Sequence, residues 1–187
     1  MNKTALILLV EGFEEIEAIC PIDLLRRAEV NCTIASTEDT LLVTGRDGII
    51  VKADVLLESI IDKDFDSIIV PGGPGYKRMR KDDRVMALLK QHAAKGRITG
   101  AICAAPTLLS DAGLLNGKRY TSHPSVVDDL QDPVPNQAVV VDGDIITSRG
   151  AGTATEFALA LVAKLTGKEK AEEIAESICF PHQRVET

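Results

Sequence analysis

The stretch Gly100-Ala101-Ile102-Cys103-Ala104-Ala105-Pro106-Thr107 passes from strand to helix within a few residues. Arg97 to Ile102 reads as a strand and Ala104 to Ala112 as a helix; Pro106 is tolerated in a first helical turn, where amide donors are free in any case. The same change of period recurs along the chain. Ala5 to Val10 is a continuous apolar run followed by a helical pattern from Glu14 to Ala28, and Val30 to Ser36 is a second strand. Phe65 to Val70 is a further buried strand that ends at Pro71-Gly72-Gly73-Pro74-Gly75, and Arg84 to Ala94 is helical. Asp47-Gly48 and Asp142-Gly143 lie between short apolar runs and predict two hairpins. Ala154 to Leu165 and Lys168 to Ser177 are predicted closing helices, with Gly167 as a C-cap between them. Continuous apolar strands alternating with helices indicate an α/β fold, a mainly parallel sheet with helices on both faces and antiparallel hairpin additions. With no repeat, low-complexity tract or linker, residues 1–187 read as a single domain. Ligands of such sheets bind outside the carboxyl ends of the strands, which singles out the loops after Val10, Val70 and Ile102.

Composition excludes several classes of function. Hydrophobic residues make up 45% of the 187 and charged residues 26%, as in a globular domain with a sizeable core. A net charge of -7 argues against a nucleic-acid partner, which needs a surplus of lysine and arginine. Aromatics are only 3%, so base-stacking platforms are not expected. No apolar run approaches the ~18 residues of a membrane helix, and the amino-terminal apolar run stops at Glu11, too short for an export signal. A cytoplasmic protein without a membrane partner is expected. Cys20, Cys32, Cys103 and Cys179 lack paired metal-ligand spacing, so four free thiols and no metal site are expected.

Cys103 is the first candidate for chemistry. Small residues on both sides give the clearance that a sharp nucleophile-bearing turn requires. A thiol facing a helix amino terminus is expected to ionise below the ~8.5 of free cysteine; the competing reading is a buried structural cysteine. Glu17 is the second candidate. Phe13, Glu17, Cys20 and Leu24 share one helical stripe, which puts Glu17 on a face that otherwise reads apolar. A carboxyl held there tends to stay protonated, whereas one at the stripe edge reaches water. Glu14 and Glu15 are explained as first-turn carboxylates. His123, expected after a short strand and before a proline-started helix, is either a base for the thiol or a loop histidine. His92 is expected on the exposed side of its helix and His182 in the tail. Gly72 and Gly73 are candidates for presenting backbone amides to an oxyanion. Arg46 and Arg149 are either anion contacts or solvated surface arginines. Gly150-Ala151-Gly152 is a poor match to a dinucleotide-binding turn.

Together these segments resemble the DJ-1/PfpI (ThiJ) superfamily, and most closely its DJ-1/YajL branch. The resemblance is carried in order by Glu14-Glu15-Ile16-Glu17, Val70-Pro71-Gly72-Gly73, Ala101-Ile102-Cys103-Ala104-Ala105-Pro106, Thr121-Ser122-His123-Pro124 and Ile146-Thr147-Ser148-Arg149-Gly150. It implies a flavodoxin-like sandwich, a homodimer and no cofactor. It also implies that Cys103 is the nucleophilic, oxidation-sensitive cysteine and Glu17 the protonated carboxyl bonded to it. By the same resemblance Gly73 and Ala104 supply amide donors, His123 lies nearby, and Arg46 and Arg149 lie near the pocket or the dimer contact. Ala104 stands where the family's peptidases have a histidine, and His123 is followed by Pro124 and Ser125 rather than the His-x-Glu of glutamine amidotransferases, so neither activity is expected. The expected activity is conversion of small α-oxoaldehydes such as methylglyoxal to hydroxy acids through a Cys103 hemithioacetal, of glyoxalase III or protein deglycase type. The alternative is a redox-responsive chaperone or stress sensor in which Cys103 is oxidised to sulfinic acid.

Overall fold

The computed structural model describes residues 2–181; His182 lies outside them. Its central sheet begins with β1 (Thr4–Leu9), and the apolar run expected there is buried on both sides. Alternate residues of this strand serve opposite cores. Ala5, Ile7 and Leu9 pack toward one face, Leu6, Leu8 and Val10 toward the other. A strand with two apolar faces cannot sit at a solvent-facing surface, so helices must cover both sides.

Those helices follow the strands in sequence. After β1 come α1 (Glu15–Arg27) and β2 (Asn31–Ser36), then a hairpin of β3 (Leu42–Thr44) and β4 (Ile50–Lys52), then β5 (Val55–Leu56). Next are β6 (Ser67–Val70), α2 (Tyr76–Met79), α3 (Asp83–Ala94), β7 (Ile98–Ile102) and α4 (Pro106–Asp111). The chain closes with the hairpin β8 (Val139–Asp142) and β9 (Ile145–Ser148), followed by α5 (Ala154–Thr166) and α6 (Lys168–Ser177). The strand order is β5-β2-β1-β6-β7-β9-β8. Pairing is parallel throughout except for β8 on β9, so this hairpin ends the sheet as expected. The other expected hairpin also forms, with antiparallel pairing. β3 and β4 form a separate two-stranded sheet, tied to the loop between β1 and α1 by Gly12 N–H to Thr44 O (2.8 Å) and Arg46 N–H to Phe13 O (2.8 Å).

The sheet order reverses direction at β1, which has β2 on one side and β6 on the other. The crevice at such a reversal, outside the strand carboxyl ends, is where doubly wound sheets bind ligands. Gly100 holds α5 against β7 beneath this crevice: a Cβ there would come 3.0 Å from the Phe157 ring and 3.1 Å from Leu161.

Three expectations are corrected. The short strand before His123 does not form, because Thr121 N–H bonds the Thr147 hydroxyl (2.9 Å) and His123 N–H bonds Cys103 O (2.8 Å) in place of a ladder. The helix after Cys103 starts at Pro106 rather than Ala104 and has only 6 residues. His92 is buried, 6% exposed, with Nε2 2.8 Å from the Ile98 carbonyl oxygen, so it closes the α3–β7 turn from inside. All four cysteines are free.

Candidate active site

Three loops converge on Cys103. The first leaves β1 and enters α1, where the Glu14 carboxylate caps the helix by accepting from Glu17 N–H at 2.8 Å. This places Glu17 in the first turn and directs it inward, where it is 1% exposed. The second loop leaves β6 as Pro71-Gly72-Gly73. Gly72 N–H donates to Glu17 Oε2 at 2.8 Å. A Cβ on Gly72 would lie 2.7 Å from both Cys103 Cβ and Glu17 Oε2, so only glycine fits between the two side chains. Gly73 has φ +91, a conformation open to glycine, and this turns its amide toward the sulfur. The third loop carries Cys103 itself at φ +65, with its N–H bonded to Ser148 O at 2.9 Å. A non-glycine residue held in the left-handed region is strained, and such strain is characteristic of a nucleophile elbow.

The Glu17 carboxyl and the backbone amides of Ala104 and Gly73 are the groups that act on ionisation of the sulfur. Burial, and then the neighbouring Glu14 carboxylate, push Glu17 up to about 7. Burial, reinforced by the charge of Glu17, pushes the Cys103 thiol up to about 12 against the pull of the two amides. The direction expected for the thiol is therefore reversed. The helix that was to favour its ionisation is one and a half turns long and begins three residues later, whereas Glu17 is in contact. Each group shifts the other's ionisation, so the two titrate as a coupled pair. Protonation of Glu17 would remove the repulsion and let the carboxyl donate to a thiolate.

His123 reaches the site through its backbone. Its ring Nδ1 accepts from Ser125 N–H (3.2 Å) and lies 2.8 Å from the Ser125 hydroxyl, so a neutral ring carries its proton on Nε2. The ring edge faces Gly150, where a Cβ would lie 3.3 Å from it and 3.9 Å from Glu17 Oε1. The charge that acts on the thiol is that of Glu17, while the His123 ring bonds Ser125. Gly72 is likewise unavailable as an amide donor to substrate, since Glu17 already occupies it; Gly73 and Ala104 remain. Arg46 sits on the hairpin turn, 3.6 Å from Asp47, and its charge is a minor influence holding Glu17 down. Arg149 is half-buried beside a cavity of ≈ 260 Å³ that Ser122, Pro124, Val127 and Val134 also line. Its guanidinium has no contact to the Cys103–Glu17 pair. Glu15, read as a plain first-turn carboxylate, is in fact buried and accepts from Asp47 N–H at 2.8 Å. Gly45, where any side chain would collide with Glu15, was the available signal.

A family model described as the DJ-1/PfpI family matches residues 3–164. The chain belongs to this family. It is 42% identical to Protein DJ-1 homolog A of Arabidopsis thaliana over 175 residues, 92% of this chain but 45% of that protein, so it spans less than half of that relative. It is 38% identical to the glutathione-independent glyoxalase DJR-1.2 of Caenorhabditis elegans over 183 residues, covering 96% of this chain and 97% of the other. The solved structure of oxidized Toxoplasma gondii DJ-1 superposes with a TM-score of 0.93 at 38% identity, covering 96% of this chain and all of that one. The flavodoxin-like expectation holds.

Proposed function

We propose that this protein is a cofactor-independent enzyme that converts small α-oxoaldehydes to hydroxy acids at Cys103, methylglyoxal to lactate being the simplest case. The observation that carries the reading is the Glu17 carboxyl, which accepts from Gly72 N–H, packs beside Cys103 at the same glycine and is raised by burial to about 7. A base of that strength is matched to proton transfer near neutral pH. Glu17 takes the thiol proton as sulfur attacks the aldehyde carbon, and returns it to the new alkoxide to complete the hemithioacetal. The amides of Gly73 and Ala104 stabilise the oxyanion meanwhile. Glu17 then removes the C1 proton to give an enediolate and delivers that proton to C2, while the O1 hydroxyl proton passes to O2, leaving the hydroxyacyl thioester. Water cleaves the thioester to hydroxy acid and free Cys103. The nematode relative named as a glutathione-independent glyoxalase supports this assignment. Lactate formation from methylglyoxal, followed with native protein, Cys103→Ser and Glu17→Gln, tests it; native rates in Cys103→Ser would exclude the mechanism.

A second reading is favoured by the Toxoplasma structure being that of an oxidized protein. Here the same thiol is taken by peroxide to sulfinic acid, and Glu17 bonds the product. Intact mass after mild peroxide, showing two added oxygens at Cys103 with negligible glyoxal turnover, would select it.

The functional unit in either reading is a homodimer. Ile16 and Ile19 on α1 and Leu42, Ile49 and Ile50 on the hairpin are exposed, Ile50 at 62%. Apolar groups concentrated on two abutting elements indicate an interface.

A further inference from the structure

Three segments of the Cys103 site share one plan. Each passes its site residue and turns within a few residues into a short helical run. Gly72-Gly73 leads into α2, Cys103-Ala104 into α4, and His123 into the 3-10 run Pro124–Asp129. The far ends of all three runs meet at Arg80. Arg80 directly follows α2. Its Nε and Nη2 donate to the two oxygens of Asp111, the last residue of α4, at 2.6 and 3.0 Å. Its Nη1 donates to Asp129, the last residue of the 3-10 run, at 2.8 Å.

We propose that Arg80 is a positioning residue of the Cys103 site. One guanidinium fixes the spacing of the Gly73 amide, the Cys103 sulfur with its Ala104 amide, and His123, without touching any of them. A fork-to-fork pair constrains orientation as well as distance, which a lysine cannot do. The runs are stiff and short, α4 only ~9 Å long, so a shift at the clasped end is delivered to the site end. The aspartates are themselves 36% and 49% exposed. They would be hydrated without Arg80, so the clasp adds little to stability while it defines geometry.

The inference rests on the Cys103–Glu17 pair being the reactive centre, and its test is independent of any substrate. The rate of iodoacetamide alkylation at Cys103, followed by peptide mass spectrometry across pH, is compared in native protein, Arg80→Gln, Arg80→Lys, Asp111→Asn and Arg84→Gln. Arg84 is the control. It makes a similar set of bonds, to Asp82, Glu58 and Thr37 O, but joins no segment of the Cys103 site. Both Arg80 variants and Asp111→Asn are expected to shift the alkylation profile, and methylglyoxal turnover to fall about tenfold, while Arg84→Gln leaves the profile in place. Arg80→Lys or Asp111→Asn profiles that superimpose on the native one would overturn the proposal. If native protein has no glyoxal turnover but the profiles still shift, the enzymatic reading fails and the positioning role stands.

Discussion

Glu17 in the first turn of α1 and Cys103 in the turn after β7 meet across Gly72, which has no room for a side chain and bonds the carboxyl with its own N–H. One glycine thus sets the close approach of acid and thiol. Burial holds the Glu17 proton toward neutrality, while Gly72 supplies one bond to the ionised form.

Glu17→Gln keeps the volume and removes the base. kcat for methylglyoxal should fall by about 10²–10⁴ with KM little changed, the range expected for loss of a positioned acid–base group. In native protein kcat/KM should rise with pH through about 7 as the carboxyl ionises. A steady-state pH profile measures both.

The same carboxyl makes folding pH-dependent. Raised from 4.5 to about 7, it binds its proton more tightly folded than unfolded. Its stabilising contribution is therefore full below 4.5 and is lost as pH rises through about 7, a loss on the order of 3 kcal/mol. Glu17→Gln should accordingly be more stable than native protein above pH 7, and the two should converge in acid. Urea denaturation at both ends of the range checks the sign.

Gly72→Ala should remove activity and cost about 1–3 kcal/mol, because the new methyl meets Cys103 and Glu17 at 2.7 Å and one of them must leave its rotamer. Thermal unfolding and a glyoxal assay on the same sample separate this from global misfolding.

His92 works in the opposite direction to Glu17. Burial lowers its pKa below 6.5, so its contribution is present above 6.5 and is lost as pH falls through the folded value. The stability difference between native protein and His92→Gln should narrow on acidification. Taking that difference isolates His92 from Glu17.

Ile16→Glu places a charge in the exposed apolar face of α1. Light scattering after gel filtration should report the monomer mass for this variant and twice that mass for native protein; a native monomer would exclude the homodimer.

How far the sequence reaches can be seen residue by residue. The parallel sheet was legible because β1, β6 and β7 are continuous apolar runs, and that pattern follows from burial on both faces. The Cys103 turn was legible because a strand must become a helix there within a few small residues. Glu17 was legible as an anomaly of period, a charge on an apolar stripe. His92 and Glu15 were misread for the converse reason. Helical period assigns a face, but whether that face meets solvent depends on β7 and on the β3–β4 hairpin, which lie elsewhere in the chain. The sequence alone therefore determined which residues sit at the ends of which strands. The tertiary structure alone decided the burial and mutual charge that shift the pair's ionisation, and the clasp of Arg80. Both depend on which groups from distant segments lie within a few ångströms of one another and how much water is left between them, and no local pattern of residues encodes that.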